Sequence, residues 1–341
     1  MGADALSDVL RTVRLTGAVF FDVDASSPWV AEAPPAHMLA PYIMPGAQHL
    51  IEYHVVTKGS CWAGLVGEPQ VQLRAGDVIV FPQGDAHVMS SAPGMRAPVD
   101  ANALPKPPHP PLPIKIRQGG GGPDGSRVIC GFLGCDARPF NPLLATLPRV
   151  LHVSEQPGEG WLTHFVRFAL HEASQQNAGG ECMLARMSEL MFVEVVRRYL
   201  KSLPADQTGW LAGLRDRHVG RALSLLHERP AHPWALDELA RQAGTSRSVL
   251  AERFQHFLGQ PPMHYLTRWR MQVAAGLLAR GASNVAGVAT EVGYDSEAAF
   301  SRAFKKFVGV PPATWRRQQA EVAGVEGDGG TAAAPIADQF S

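Results

Sequence analysis

One unit occurs twice in the chain. LDELARQAGTSRSVLAERFQHFLGQPP runs from Leu236 to Pro262, and VAGVATEVGYDSEAAFSRAFKKFVGVPP runs from Val285 to Pro312. Gly244 aligns with Gly293, 49 residues later, and Ala240 then meets Ala289. After a one-residue slip, Ser246 meets Ser296, Phe254 meets Phe304, Gly259 meets Gly309, and Pro261 and Pro262 meet Pro311 and Pro312. A supersecondary unit copied in this way restricts the C-terminal third to a tandem of two similar small folds.

Each copy has the chemistry of a helix-turn-helix. A small residue, Ala240 or Ala289, sits where a second helix must cross closely. Gly244 or Gly293 follows and tolerates the left-handed conformation of a tight turn. Thr245-Ser246 and Asp295-Ser296 offer side chains that cap the next helix. That helix places Leu250 and Phe254, or Phe300 and Phe304, on one buried face. An ordinary helical hairpin with a glycine turn would look like either copy alone; two copies with matching caps argue for a dedicated module.

The outward faces are then Arg247, Ser248, Ala251, Glu252 and Gln255 in the first unit, and Glu297, Ala298, Ser301, Arg302 and Lys305 in the second, with Ser296 at its cap. Arginine reads guanine, glutamate accepts from cytosine, and serine serves bases or phosphates. Charge agrees. The whole chain is formally neutral, yet Trp210 to Gln318 holds 15 Lys and Arg against 8 Asp and Glu. A basic third on a neutral chain is the footprint of nucleic-acid binding.

The region resembles the DNA-binding domain of the AraC/XylS family of bacterial transcription regulators. PPMHYLTRWRMQVAAGLL (Pro261 to Leu278) and VATEVGYDSEAAFSRAFKKFVGVPPATWRR (Val288 to Arg317) carry the likeness. The resemblance implies seven helices, with two helix-turn-helix units joined by a long helix over roughly 263–279. It implies recognition helices near 246–257 and 296–307 that enter successive major-groove segments of promoter DNA. It also implies a homodimer and RNA polymerase as partners. Ala251 and Ala298 depart from the pattern, because their methyl groups contact at most a thymine methyl.

At 341 residues the chain has room for a second domain. Residues 13–91 read as short strands: Val19 to Phe21, Tyr53 to Val56, Val71 to Leu73 and Val78 to Phe81, punctuated by Gly, Pro and Asp. Arg127 to Phe132 reads as strand again. The intervening Pro- and Gly-rich stretch, 92–125, reads as a long inserted loop. Gly76 to His87 fits G-x5-P-x-G-x2-H, which resembles the second motif of cupins, and Glu52 to Trp62 resembles the strand and turn that pair with it. The expected architecture is therefore β then all-α. It comprises a cupin-like β-barrel of the jelly-roll type (1–158), a helical linker and dimerisation region (159–208), a double helix-turn-helix (209–318) and a disordered tail (319–341).

Period-two alternation places Glu52 and His54 on one face, where His87 can join them. These three form a candidate effector pocket. They are also a conceivable zinc or iron set, although the His-x-His of enzymatic cupins is missing. Residual barrel residues, hydrogen-bonded inside or lining a pocket, are the preferred reading, so no cofactor is expected to be required. His49 reads as a loop residue. Cys61 and Cys182 read as small buried hydrophobes; Cys130 and Cys135 would sense redox state only with exposed, acidified thiols. The methionine-rich helix from Glu181 to Leu203 packs on the barrel or pairs with its own copy. No apolar run reaches membrane-span length and the N-terminus lacks a basic flank before an apolar core, so a bacterial cytoplasmic, nucleoid-associated protein is expected.

The leading expectation is a sequence-specific regulator that responds to an effector and is not an enzyme. The alternatives are a cupin metalloenzyme with an accessory DNA-binding domain, and a constitutive DNA-binding protein with a vestigial barrel.

Overall fold

The structure, a computed structural model, describes residues 4–98, 112–154, 168–169, 171–172, 178–281 and 283–327. After a short helix α1 (Ala5–Thr12), two sheets form a β-sandwich. The larger sheet runs β10-β6-β3-β9-β1-β8, from β1 (Thr16–Ser26), β3 (His49–Lys58), β6 (Val78–Phe81), β8 (Ile114–Gly119), β9 (Gly125–Cys135) and β10 (Leu151–Val153). The smaller runs β2-β7-β4-β5, from β2 (Val30–Ala33), β4 (Ser60–Leu65), β5 (Val71–Arg74) and β7 (His87–Ser90). Helix α2 (Ala36–Ile43) closes one end.

The expected motif-two turn takes shape at Gly84, whose φ of +67° and missing side chain let the chain pass between Ala36 and the carbonyl of Leu50. The stretch 92–125 is not all loop. Ile114–Gly119 pairs in parallel with Phe21 to Ser26, its outward Lys and Arg alternating with Ile. The glycine run after it is anchored: Gly120 N–H donates to Ser26 O and Gly122 N–H to Ser27 O. Residues 99–111 lie outside the described residues, as do 155–158 of the expected barrel and 159–167 of the expected linker. His49 opens β3 rather than lying in a loop, and its Nε2 donates to Pro82 O at 2.7 Å.

The methionine-rich stretch forms α3 (Gly180–Ser202). It buries Leu184, Met187, Met191, Phe192, Val195 and Val196 on the outer face of the larger sheet. Close approach is possible because Gly17 of β1 has no side chain to strike the carbonyl of Ala185 and Cβ of Ser188. Met183 and Leu190 stay 46% and 59% exposed.

Eight helices follow among the described residues: α4 (Trp210–Arg215), α5 (Arg217–Glu228), α6 (Leu236–Gln242), α7 (Arg247–Leu258), α8 (Pro262–Arg280), α9 (Val285–Glu291), α10 (Glu297–Val308) and α11 (Pro312–Gly327). One more appears than the resemblance implies, and Asp216 separates α4 from α5. Its backbone is extended and its carboxylate caps α5, accepting from the N–H groups of His218 and Val219. Residues 319–327, expected in a disordered tail, continue α11; QQAEVA is a run of adequate helix formers. The rest of that tail, 328–341, is outside the described residues.

The two helix-turn-helix units are not equivalent in their packing. Leu250, Phe254, Tyr265 and Trp269 of the first share one continuous core with α1, α3 and the outer face of β3. Phe300, Phe304 and Trp315 of the second pack in a separate cluster with the C-terminal half of α8.

Candidate functional site: a helix-turn-helix face and a barrel cavity

The repeat folds locally as its residues dictate. Gly244 and Gly293 turn with φ of +74° and +83°. Ser246 Oγ accepts from Val249 N–H and Ser296 Oγ from Ala299 N–H, capping α7 and α10. Ala240, Ala289, Leu250, Phe254, Phe300 and Phe304 are all buried. That rotation leaves Arg247, Ser248, Glu252 and Gln255 exposed on α7 and Glu297, Ala298, Arg302 and Lys305 exposed on α10, with Ser296 exposed at its cap. Ala251 and Ser301 are half-buried, so they meet a base only through the outer part of their short side chains. Arg247 lies 3.8 Å from Asp237, an exposed pair worth little. Arg253, which the sequence does not single out, is engaged with the Asp216 carboxylate that caps α5.

A second site lies between the sheets. A cavity of about 380 Å³ is lined by Phe21, Trp29, Leu39, Met89 and Phe132, with Glu52, His54 and His87 at one polar region. Strand β3 accounts for this: Glu52 and His54 face the cavity, while Ile51, Tyr53 and Val55 face the core under α3. The three expected residues do converge. His54 Nε2 and His87 Nε2 are 2.7 Å apart, and His87 Nε2 is 3.9 Å from Glu52 Oε2. All three are buried. Burial raises the Glu52 carboxyl to about 8, pulls His87 down to about 4, and pulls His54 well below its ordinary value, with His87 adding to that fall.

The His54–His87 contact has the length of a hydrogen bond. Two nitrogens bound to one tetrahedral zinc at 2.0–2.1 Å stand about 3.3 Å apart. Among the described residues no group of three or more His, Cys, Asp or Glu is arranged to hold a metal ion. Cys61, Cys130 and Cys135 are not acidified thiols. Burial pushes Cys61 and Cys135 up to about 12 and Cys130 higher still. Cys182, read as buried from the sequence, is exposed at the start of α3.

Several residues that connect the two sites carry no local sequence signal. Tyr53 OH and Ser188 Oγ are 2.6 Å apart, joining β3 to α3. Phe140 N–H donates to the buried Gln272 of α8 at 2.9 Å, and the Arg268 guanidinium lies 4.1 Å over the Phe140 ring. Trp210 Nε1–H donates to Tyr265 OH, which lies 2.7 Å from His227 Nε2, and His227 stacks on Trp269.

Residues 4–201 match the sequence pattern of a cupin family, and residues 239–318 that of a helix-turn-helix domain. A Streptomyces lividans protein named as an AraC-like transcription regulator is 31% identical over 92% of this chain and 98% of its own length. A Streptomyces antibioticus protein of the same name is 30% identical over 92% and 98%. Among solved structures, the C-terminal domain of AraT, a response regulator from Geobacillus stearothermophilus, is 33% identical over 30% of this chain and 86% of that one, with a TM-score of 0.30.

Proposed function

The chain belongs to the AraC-like transcription regulators with an N-terminal cupin domain, and from that premise we propose that the barrel cavity binds an effector and sets how the helix-turn-helix units engage DNA. The DNA-binding transcription regulator is the family's activity; the effector response is the new step. One observation carries it. Strand β3 is at once the wall of the cavity, through Glu52 and His54, and the floor on which α3 and the core of the first helix-turn-helix unit rest, through Ile51, Tyr53 and Val55. A ligand that fits one position of β3 better than another shifts the population of the attached helices.

In this reading α7 and α10 contact base edges with Arg247, Ser248, Glu252 and Gln255, and with Glu297, Ser301, Arg302 and Lys305. Ala251 and Ala298 offer apolar contact only. The cavity works with neutral imidazoles and needs no metal, and the barrel is a binding domain rather than a catalyst. The exposed Met183 and Leu190 on α3 suit a contact with a second copy, which would add avidity on DNA. RNA polymerase is the further partner a regulator requires. No helix among the described residues is long and apolar enough to cross a membrane. A bacterial regulator that works on promoter DNA acts in the cytoplasm with the nucleoid.

The test is to select binding sites from random DNA with the full chain, then compare the parent with His54→Leu and Glu52→Leu in the native host. Affinity for the selected site in vitro stays within about threefold, because both residues line the cavity and neither lies on α7 or α10. Regulation of the linked genes becomes constitutive. Regulation identical in parent and variants would refute the effector role of the cavity.

A further inference from the structure

The cavity's hydrogen-bonding inventory is specific enough to name a class of ligand. His87 Nδ1 lies 3.0 Å from the carbonyl oxygen of Asp85, which can only accept, so Nδ1 carries the His87 proton. His87 Nε2 is then a lone pair in the neutral ring. The 2.7 Å contact with His54 therefore needs the His54 proton on Nε2. That leaves His54 Nδ1 as a bare acceptor, and it has no partner among the described residues. Glu52 Oε1 has none either. The Glu52 carboxyl is buried with no cation against it among the described residues, and burial keeps its proton on at neutral pH. It thus holds one O–H donor beside one carbonyl acceptor. Glu52 and His54 are two residues apart on the same face of β3, in a chamber otherwise walled by groups such as Phe21, Trp29, Met89 and Phe132.

A carboxyl oxygen and an imidazole nitrogen left unpaired on one face of a strand, both out of water, are costly unless a ligand fills them. We propose that the cavity takes an uncharged, largely apolar molecule with one hydroxyl, an alcohol or a phenol, whose oxygen accepts from Glu52 and whose proton goes to His54 Nδ1. This rests on the reading of the cavity as the effector site. Its volume of about 380 Å³ has room for roughly a dozen non-hydrogen atoms at about 30 Å³ each. A carboxylate would meet the His54 lone pair, and among the described residues no buried cation lines the cavity to neutralise it. Arg117, a basic lining residue, is exposed to solvent. An ammonium would require Glu52 to give up its proton in an apolar chamber. A hydrocarbon would leave both polar atoms unpaired.

Calorimetry on the full chain at pH 7 tests this with four probes on one frame: 1-naphthol, naphthalene, 1-naphthoate and 1-naphthylmethylammonium. Naphthol binds about tenfold or more tighter than each of the others. Glu52→Leu and His54→Leu abolish the preference over naphthalene while naphthalene itself still binds within about threefold. Glu52→Gln keeps the preference, because an amide retains both a donor and an acceptor. Naphthoate or the ammonium binding as tightly as naphthol overturns the proposal, as does a preference that survives both leucine variants, or no binding of any probe to folded protein. Affinity for the selected DNA site is measured in the same samples. If DNA binding holds while the hydroxyl preference fails, the ligand class falls and the regulator stands. If no DNA site is bound, the regulatory reading fails whatever naphthol does.

Discussion

The hydroxyls of Tyr53 and Ser188 lie 2.6 Å apart across 135 residues of chain. Tyr53 also reaches the carbonyl of Ala18 at 3.2 Å, and Ser188 that of Leu184 at 2.9 Å. Two protons thus serve a chain of acceptors running from the larger sheet into α3. Gly131 makes the tyrosine's position possible, because any side chain there would strike its hydroxyl. Tyr53→Phe removes the link without opening a cavity and leaves Ser188 its bond to Leu184. Its expected cost is about 0.5–1.5 kcal/mol in urea unfolding. The informative readout is coupling: the ratio of DNA affinities with and without bound naphthol falls towards one, while naphthol affinity itself holds. An unchanged ratio would remove this contact from the route between the sites.

Stability should depend on pH through the same cavity. The folded Glu52 carboxyl sits at about 8 against 4.5 in an open chain. Between those values the folded chain holds a proton that the unfolded chain has lost, so stability falls as pH rises, by up to about 1.4 kcal/mol per unit. His87 at about 4, and His54 well below 6.5, act in the opposite sense: below pH 6.5 the unfolded chain takes protons that the folded one refuses. The neighbouring Cys130 thiol is held too high to titrate in this range. Stability therefore peaks near pH 6.5. Glu52→Gln removes the alkaline decline alone, so its urea midpoint exceeds the parent's most at pH 8, and the difference vanishes below pH 4.5. Parallel profiles for parent and variant would contradict a buried neutral acid.

On the DNA face, Arg302 is exposed on α10 one turn beyond Ala298, beside Lys305. Arg302→Ala is expected to weaken binding to the selected site by about 1–3 kcal/mol and to relax preference at one base pair. Lys305→Ala should weaken all sequences alike and reduce the salt slope by about one, as a phosphate contact does. Quantitative binding at several salt concentrations distinguishes them. If Arg302→Ala costs the same on random DNA, it is a phosphate contact too.

The repeat was the most legible part of this chain, because caps, turn glycines and i, i+4 core pairs are local and occur twice. The cavity residues were legible for a similar reason: alternation along β3 and one cupin-type turn suffice to bring Glu52, His54 and His87 together. Strand β8 was hidden because Ile114 to Gly119 is short and set among prolines and glycines, and its partner β1 lies some 90 residues earlier. Tyr53 with Ser188 and Phe140 with Gln272 are long-range pairs between elements of different period. No local pattern announces such contacts. Cys182 reads as apolar by type, but its place in the first turn of α3 leaves it in water.

The two turn glycines look equivalent in sequence and differ in space. Both have positive φ, so alanine is strained at either. A side chain at Gly244 would meet open space, whereas one at Gly293 would press on the backbone of Ala231, with Cα at 2.7 Å. Gly244→Ala should cost about 1–2 kcal/mol and leave DNA binding recoverable at low temperature. Gly293→Ala should cost more and displace α10 from the 230s loop. Thermal denaturation of the two variants side by side decides; equal losses would mean that the Ala231 contact gives way freely.

The unequal packing of the two units leads to the last expectation. Leu250 belongs to the core that also contains Val9, Tyr53, Val195 and Trp269, so the first unit, α1, α3 and the outer face of the barrel share one set of buried contacts. Phe300 belongs to the separate cluster with Val288, Phe304 and Trp315. Both side chains are fully buried, and truncation to alanine costs about 2–5 kcal/mol for Leu250 and 3–5 kcal/mol for Phe300. The costs are similar, but they fall on different cooperative units. Leu250→Ala lowers the transition of the barrel and the helices together, so hydrogen-exchange protection drops in β3, α3 and α7 alike. Phe300→Ala loosens α9 to α11 first and leaves protection in β3 and α3 at the parent's level. It also spares naphthol binding while abolishing tight DNA binding, because the second recognition helix is lost from an otherwise intact sensor. Loss of β3 protection in Phe300→Ala equal to that in Leu250→Ala would show that the two clusters unfold as one, and that the second unit is as firmly tied to the barrel as the first.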